Sequence, residues 1–118
     1  MQEADSVRLR HMLDAARQAV EFARSRSRAD LDRDPMLALA LVKLVEIVGE
    51  AASQVSDPGR ANAPSLPWAE IISMRHRLVH AYFDINLDIL WQTIRHDLPP
   101  LIAALDANLP SDESDSSR

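Results

Sequence analysis

Hydrophobic residues recur along the chain at helical spacing, and the pattern predicts four helices. The first covers about residues 6–28, where steps of three and four separate Leu9, Leu13, Ala16, Val20 and Ala23. Residues 25–34, which carry most of the charge in this region, are predicted as its connection to the next helix. Glycine occurs at only two positions and β-branched residues form no alternating runs, so the whole chain is predicted to be helical.

The second predicted helix begins at Asp34-Pro35 and runs to about Val55. Asp is a favoured N-cap residue, and Pro is tolerated at the first helical position. The helix is apolar on nearly every face, through Leu37, Leu41, Leu44, Val48 and Ala51 on one line and Leu39, Val42, Val45 and Ile47 beside it. Such a helix is either central in the core or shared with a second subunit.

The remaining segments are predicted as a loop, two helices and a tail. Residues 56–65 form the loop, and Pro67 opens the third helix. Asp84 or Asn86 caps the fourth helix, which continues through Leu109 and should be kinked or broken at Pro99-Pro100. Residues 1–110 are therefore predicted to form one all-α domain, followed by a disordered acidic tail at 111–118.

Composition narrows the possible functions. The 118 residues include no cysteine, which excludes disulfides and thiolate chemistry. The first ten residues lack an apolar segment typical of a signal peptide, and no apolar run approaches the roughly 20 residues of a membrane span. We therefore expect a cytoplasmic protein without membrane contact. The net charge of −5 argues against broad electrostatic binding of nucleic acid but leaves room for a local basic cleft.

Titratable side chains are concentrated in "SMRHRLVHAYFD", residues 73–84. On one continuous helix, Arg75 falls within an apolar stripe formed by Trp68, Ile71, Ile72, Val79 and Tyr82. A buried guanidinium needs a partner, and Glu46 or Glu50 on the second helix can provide one. Two interpretations stay open: a structural Arg–Glu pair, or an Arg75 that faces a cleft for phosphate or another anion.

His80 follows Arg75 by five residues, so in a continuous helix the two side chains point about 140° apart. They converge only if the helix ends near His80 or if another chain completes the site. His76, His80 and Asp84 also have metal-ligand spacing on one helical face. That set lacks a strong fourth ligand, and a solvated polar face is the favoured interpretation.

The segments "LPWAEIISMRHRLVHAYFDIN" and "LVEIVGEAASQVS" resemble the HepT-like branch of the HEPN superfamily over about residues 5–108. The shared motif has the form R-x4-H-x-Y, with Arg75, His80 and Tyr82 at its fixed positions. The family commonly has Asn directly after the motif arginine, where this chain has His76.

The resemblance implies an antiparallel four-helix HEPN bundle that forms a homodimer with the motifs at one interface cleft. It implies a metal-independent endoribonuclease without a cofactor, the toxin of a type VII-like toxin–antitoxin pair neutralised by an MNT-type nucleotidyltransferase antitoxin. The carried-over roles are catalysis for Arg75 and His80 and acceptance of AMP for Tyr82. Four residues near the motif are expected to support the site, namely Glu46, Glu50, His76 and Arg77.

Two other functions remain open at this stage. One is a non-catalytic HEPN module that binds a nucleotide or a partner protein through the same cleft. The other is a helical metal-binding protein that uses His76, His80 and Asp84.

Overall fold

Helices make up most of the part of the chain that is described, as expected for an all-α protein. The computed structural model describes residues 2–81 and 84–109, with the backbone alone at 79–81. The helices in this part are α1 Glu3–Ala23, α2 Arg28–Arg33, α3 Pro35–Ser53, α4 Asp57–Ala61, α5 Trp68–Ile72, α6 Met74–Leu78, α7 Leu87–Gln92 and α8 Leu98–Asn108. A short antiparallel hairpin pairs β1 Val79–Ala81 with β2 Asp84–Ile85, and a π-helical turn covers Thr93–Asp97. None of the described helices is long and apolar enough to cross a membrane.

The first predicted helix ends earlier than its hydrophobic pattern indicates. α1 stops at Ala23, and Ser25 has a φ of 63°, a left-handed conformation that a right-handed helix cannot include. The predicted connection at 25–34 contains α2, which starts where the Ser27 N–H donates to the Asp30 carboxylate at 2.7 Å. The predicted start of α3 is confirmed, because Asp34 caps it by accepting the Leu37 N–H at 3.1 Å.

The predicted loop at 56–65 contains α4. The Ser56 hydroxyl caps this helix by accepting the Gly59 N–H at 3.1 Å. Asp5 is 4% exposed, and its carboxylate accepts the Ser56 hydroxyl at 2.6 Å and the Ser56 N–H at 2.9 Å. These two bonds, the hydroxyl first, lower the pKa of Asp5 below its usual value. They also tie the start of α1 to the segment after α3, so the two helices run antiparallel.

The predicted third helix is divided into α5 and α6 at Ser73, and it ends at Leu78 rather than continuing past His80. The chain turns back at this point because the Asn86 N–H donates to the Leu78 carbonyl at 2.7 Å and the hairpin pairs Val79 with Ile85. Asn86, one of the two predicted caps, starts α7 by accepting the Ile89 N–H at 3.0 Å.

The core lies between α1, α3 and the helices that follow the hairpin. α1 packs against α3 and α8, and α3 also contacts α5 and α6. The largest fully buried side chains are Leu9, Met12, Leu13, Leu41, Val45, Val48, Ile71, Leu78, Leu90, Ile94, Leu98 and Leu105. One side of α3 is buried in this core, and residues on its exposed side form the floor of the cleft described below.

The helical path is interrupted immediately before Pro99-Pro100. The Leu98 N–H donates to the carbonyl of Thr93, five residues earlier, which defines the π turn. The two prolines have no N–H and occupy the first turn of α8, where an intrahelical donor is not required. The predicted tail at 111–118 and the motif tyrosine, Tyr82, lie outside the described residues.

Candidate active-site cleft

An open cleft of about 660 Å³ lies over the exposed side of α3. We call it the α3 cleft. Its charged and imidazole side chains come from three helices, with Arg8 and His11 on α1, Lys43, Glu46 and Glu50 on α3, and Arg75 and His76 on α6. Steps of three and four separate the α3 residues, so they share one face of that helix.

The second wall of the cleft contacts α3 at Gly49. A Cβ at this position would lie 3.4 Å from the carbonyl oxygens of both Ile71 and Ile72, at the end of α5. The packing of α5 on α3 positions α6, which follows directly. As a result, Arg75 and His76 face the same cleft as Glu46.

Arg75 does not lie in a buried stripe, which corrects the position expected from one continuous helix. Its side chain is 47% exposed, whereas Ile71, Met74 and Leu78 form the buried face of α5 and α6. The buried residues keep steps of three and four from α5 into α6, so the prediction was wrong because its stripe left out Met74 and Leu78. An exposed guanidinium at a cleft remains available to an anion from solvent.

The Arg75 guanidinium pairs with Glu46. Its Nε donates to the Glu46 carboxylate at 2.5 Å. Glu50, the other expected partner, instead accepts Gln54 Nε2 at 3.0 Å. A guanidinium has five N–H donors, so a bond through Nε leaves its two terminal nitrogens able to bind an oxyanion. The structural pair and the anion-facing arginine are therefore compatible.

Arg77 is separated from the α3 cleft, although sequence reasoning grouped it with Arg75. It lines a second cavity of about 360 Å³ between α5–α6 and α8, together with Met74, His96 and Leu101. Of the expected supporting residues, Glu46, Glu50 and His76 lie at the cleft and Arg77 does not.

The position of His80 is described through its backbone, which belongs to β1. α6 ends at Leu78, two residues earlier, so the first condition for Arg75 and His80 to converge is met. Because α6 ends at Leu78, the prediction that one continuous helix places Arg75 and Tyr82 on the same face loses its basis. The end of α6 also overturns the helical spacing proposed for a metal site, since Asp84 lies in β2. Among the described side chains, no three His, Asp or Glu residues are grouped to hold a metal ion.

Sequence reasoning missed Arg8, His11 and Lys43, which the fold brings to the cleft from α1 and α3. The spacing of Arg8 and His11, three residues apart on one helix, gave only a weak signal. The described lining includes three permanent cations against two carboxylates, a local positive balance in a chain of net charge −5. This local excess suits an anionic ligand.

Known proteins resemble the chain over most of its length. A family described as "Ribonuclease HepT-like" matches residues 12–107. "Putative RNase TTE0752" of Caldanaerobacter subterraneus subsp. tengcongensis is 37% identical over 93 residues, which cover 79% of this chain and 83% of the relative. "Probable ribonuclease HepT" of Thermococcus cleftensis is 35% identical over 81 residues, covering 69% and 74%. No solved structure shows significant similarity to the chain.

Proposed function

Because the chain belongs to the HepT-like ribonuclease family, we propose that it is a metal-independent endoribonuclease that cleaves RNA at the α3 cleft. Arg75 and His80 are its catalytic residues in this proposal. The observation that carries it is the exposed Arg75 guanidinium in a cleft whose described lining is positive although the chain is acidic. RNA, a polyanion, is the substrate that this charge distribution and the family both favour.

The chemistry requires few protein groups, because RNA carries its own nucleophile. The 2′-oxygen attacks the adjacent phosphorus, its proton passes to a neutral imidazole, and the 5′-oxygen leaves with a proton from an imidazolium. The products are a 2′,3′-cyclic phosphate and a 5′-hydroxyl. The terminal nitrogens of Arg75 stabilise the additional negative charge on the phosphoryl oxygens in the transition state. The Nε bond to Glu46 orients the guanidinium for this role.

A homodimer provides the second imidazole that this reaction needs. Met36 is 81% exposed and Leu39 is 56% exposed, both on the side of α3 that continues into the cleft at Lys43 and Glu46. Large apolar side chains grouped on one helix favour burial against a partner. A two-fold dimer formed there would place two copies of the cleft side by side, with His80 of one protomer as base and His80 of its partner as acid.

The catalytic proposal is tested with purified protein and a single-stranded oligoribonucleotide. His80→Ala and Arg75→Ala should each reduce cleavage by about 10²–10³-fold, the usual effect of removing one transition-state donor or proton carrier. Cleavage by the wild-type protein should continue in EDTA and leave 2′,3′-cyclic phosphate ends. A substrate with 2′-deoxyribose at the cleavage position should remain intact.

Arg24→Ala is the matched control, since Arg24 is highly exposed and pairs with Glu21 away from the cleft. Its cleavage rate should equal that of the wild type. Loss of cleavage in EDTA, or full cleavage by His80→Ala, would contradict the acid–base mechanism.

We further propose that the protein is a toxin and that an MNT-type nucleotidyltransferase antitoxin neutralises it by transferring AMP to Tyr82. Tyr82 follows His80 by two residues in the motif shared with the family. An adenylyl group there would add negative charge and bulk beside the site, and both oppose RNA binding.

The Tyr82→Phe variant separates modification from occlusion of the cleft. It should remain toxic when expressed but escape neutralisation by the co-expressed antitoxin. Mass spectrometry should find adenylyl groups on the wild-type peptide that contains "LVHAYFDINL". An unmodified Tyr82 in fully neutralised wild-type protein would mean that the antitoxin acts by occlusion alone.

A further inference from the structure

Two cations of the α3 cleft have no partner within the part of the chain that the structure describes. Arg8 and Lys43 make no hydrogen bond or ion pair with any residue in the described ranges. Most other described arginines are engaged: Arg17 with Asp106, Arg24 with Glu21, Arg26 with Asp34, Arg28 with Asp32 and Asp88, Arg33 with Asp30, Arg60 with carbonyls at the end of α3, and Arg95 with the Trp91 ring. Among the described residues, Arg77 is the other cation without such a contact, and it lines the second cavity, so two of these three unpaired charges lie at the α3 cleft.

The partial burial of Arg8 without a described partner is energetically unfavourable, which favours an anion bound from outside the chain. Its side chain is half-buried, so part of its hydration is lost without a compensating carboxylate. The two carboxylates of the cleft already have partners, since Glu46 accepts Arg75 and Glu50 accepts Gln54. An anion from outside the chain would compensate Arg8 and Lys43.

The two cations lie on opposite sides of the Arg75–Glu46 pair along the axis of α3. Lys43 is one turn before Glu46 on α3. Arg8 is one turn after Asp5 on α1, and Asp5 bonds to Ser56 just beyond the end of α3. The α3 residues from 43 to 53 span about 15 Å at 1.5 Å per residue. Stacked nucleotides rise about 3.4 Å each, so this length corresponds to roughly four nucleotides.

We propose that a single RNA strand lies along α3, with Lys43 and Arg8 each binding a backbone phosphate on opposite sides of the scissile phosphate at Arg75. This inference rests on the proposed ribonuclease function and assigns how its substrate is bound. Glu50 lies between the contacts and repels a phosphate placed over it, so the phosphates are held at the two ends of the cleft and at Arg75. The cleft is thus built for a strand of about four nucleotides or more rather than for a dinucleotide.

Lys43 is the only lysine of this sequence, which allows a direct footprint. The protein is treated with an amine-acylating reagent, with and without a saturating octaribonucleotide that carries 2′-deoxyribose at the cleavage position. Peptide mass spectrometry should show that bound RNA protects Lys43, while acylation of the amino terminus is unchanged. Equal acylation of Lys43 in free and RNA-saturated protein would overturn the proposed contact.

Affinity measurements test both ends of the cleft. Arg8→Ala and Lys43→Ala should each weaken octaribonucleotide binding about tenfold, the effect of losing one charge-assisted contact. Each should also lower the slope of log affinity against log salt by about 0.7, as expected for one phosphate of a single strand. The Lys43→Arg variant should keep the affinity and the salt slope of the wild type. None of these substitutions should change the binding of a dinucleotide. Arg24→Ala is the control with an unchanged affinity and slope.

The outcomes separate this inference from the function on which it rests. If the wild-type protein does not bind the octaribonucleotide, the proposed ribonuclease function fails together with this one. If the wild type binds and cleaves but both alanine variants keep its affinity and salt slope, only the placement of the strand is wrong. Circular dichroism of each variant shows whether the helices remain intact.

Discussion

At the scale of single residues, the lack of a side chain at Gly59 allows α1 and α4 to pack closely. A Cβ on Gly59 would lie 2.5 Å from the Asp5 carboxylate oxygen and 2.8 Å from a methyl group of Val55. Asp5 cannot move aside easily, because Ser56 binds both of its oxygens. The junction of α1 and α4 therefore depends on glycine at this position.

Gly59→Ala should lower the free energy of unfolding by about 1–3 kcal/mol, the usual effect of overpacking a tight contact. The sign is diagnostic, since replacing an unconstrained helical glycine with alanine normally stabilises a protein by about 0.5–1 kcal/mol. Urea unfolding at a fixed protein concentration measures the change. A variant as stable as the wild type would mean that α4 shifts at little cost.

The other glycine of the chain supplies the matched control. The Cβ of Gly49→Ala would meet its nearest atoms at 3.4 Å, which is an ordinary van der Waals distance. Gly49 lies within α3, so the helical preference of alanine should leave the protein as stable as the wild type or slightly more stable. Opposite signs at the two glycines would support the packing described for Gly59.

At the scale of secondary structure, the accuracy of the sequence predictions depends on whether the deciding contact is local. The starts of α3 and α7 could be predicted, because Asp34 and Asn86 cap helices through residues three positions away. The hairpin could not be predicted. It depends on a bond between Leu78 and Asn86, and its strands are too short to produce an alternating pattern.

The same distinction applies to the site. The motif residues Arg75 and His80 stand out as a local cluster, and Glu46 was a predictable partner because it lies on the exposed face of α3. The exposure of Arg75 was not predicted, because the expected stripe left out Met74 and Leu78, whose burial depends on the contacts of α6 with α3 and α7. Arg8 reaches the cleft only through the antiparallel packing of α1 on α3, a contact between distant parts of the sequence, whereas Lys43 shares a face of α3 with Glu46.

At the scale of the whole molecule, the uneven exposure of α3 favours a dimer. Met36 and Leu39 are largely exposed at one end of the helix, whereas Leu41, Val45 and Val48 on its opposite side are fully buried. A second subunit that covered the exposed end would explain why the helix is apolar on more faces than one domain buries. The acidic remainder of the surface would then surround a shared, positively lined cleft.

The double variant Met36→Glu, Leu39→Glu should be a monomer at micromolar concentration, because burying two new carboxylates at an interface is unfavourable. It should retain its helical content and lose RNA cleavage if the two clefts act together. Sedimentation velocity and the cleavage assay provide the measurements. Gln18→Glu, which adds charge at an exposed position of α1, should leave both properties unchanged. A wild-type protein that sediments as a monomer would remove the shared-cleft mechanism.

The π turn at Thr93–Asp97 sets the direction in which the apolar side chains of α8 point relative to those of α7. In an uninterrupted α-helix, Leu90 and Leu98 would point about 80° apart after eight residues. The additional residue of a π turn rotates everything that follows back by about 100°, which brings the two side chains within roughly 20° of each other. Leu98, Leu101 and Leu105 are accordingly buried in line with Leu90. Deleting one residue from this turn should therefore leave a regular α-helix with a step of seven residues between the two leucines, which keeps the apolar face of α8 toward the core.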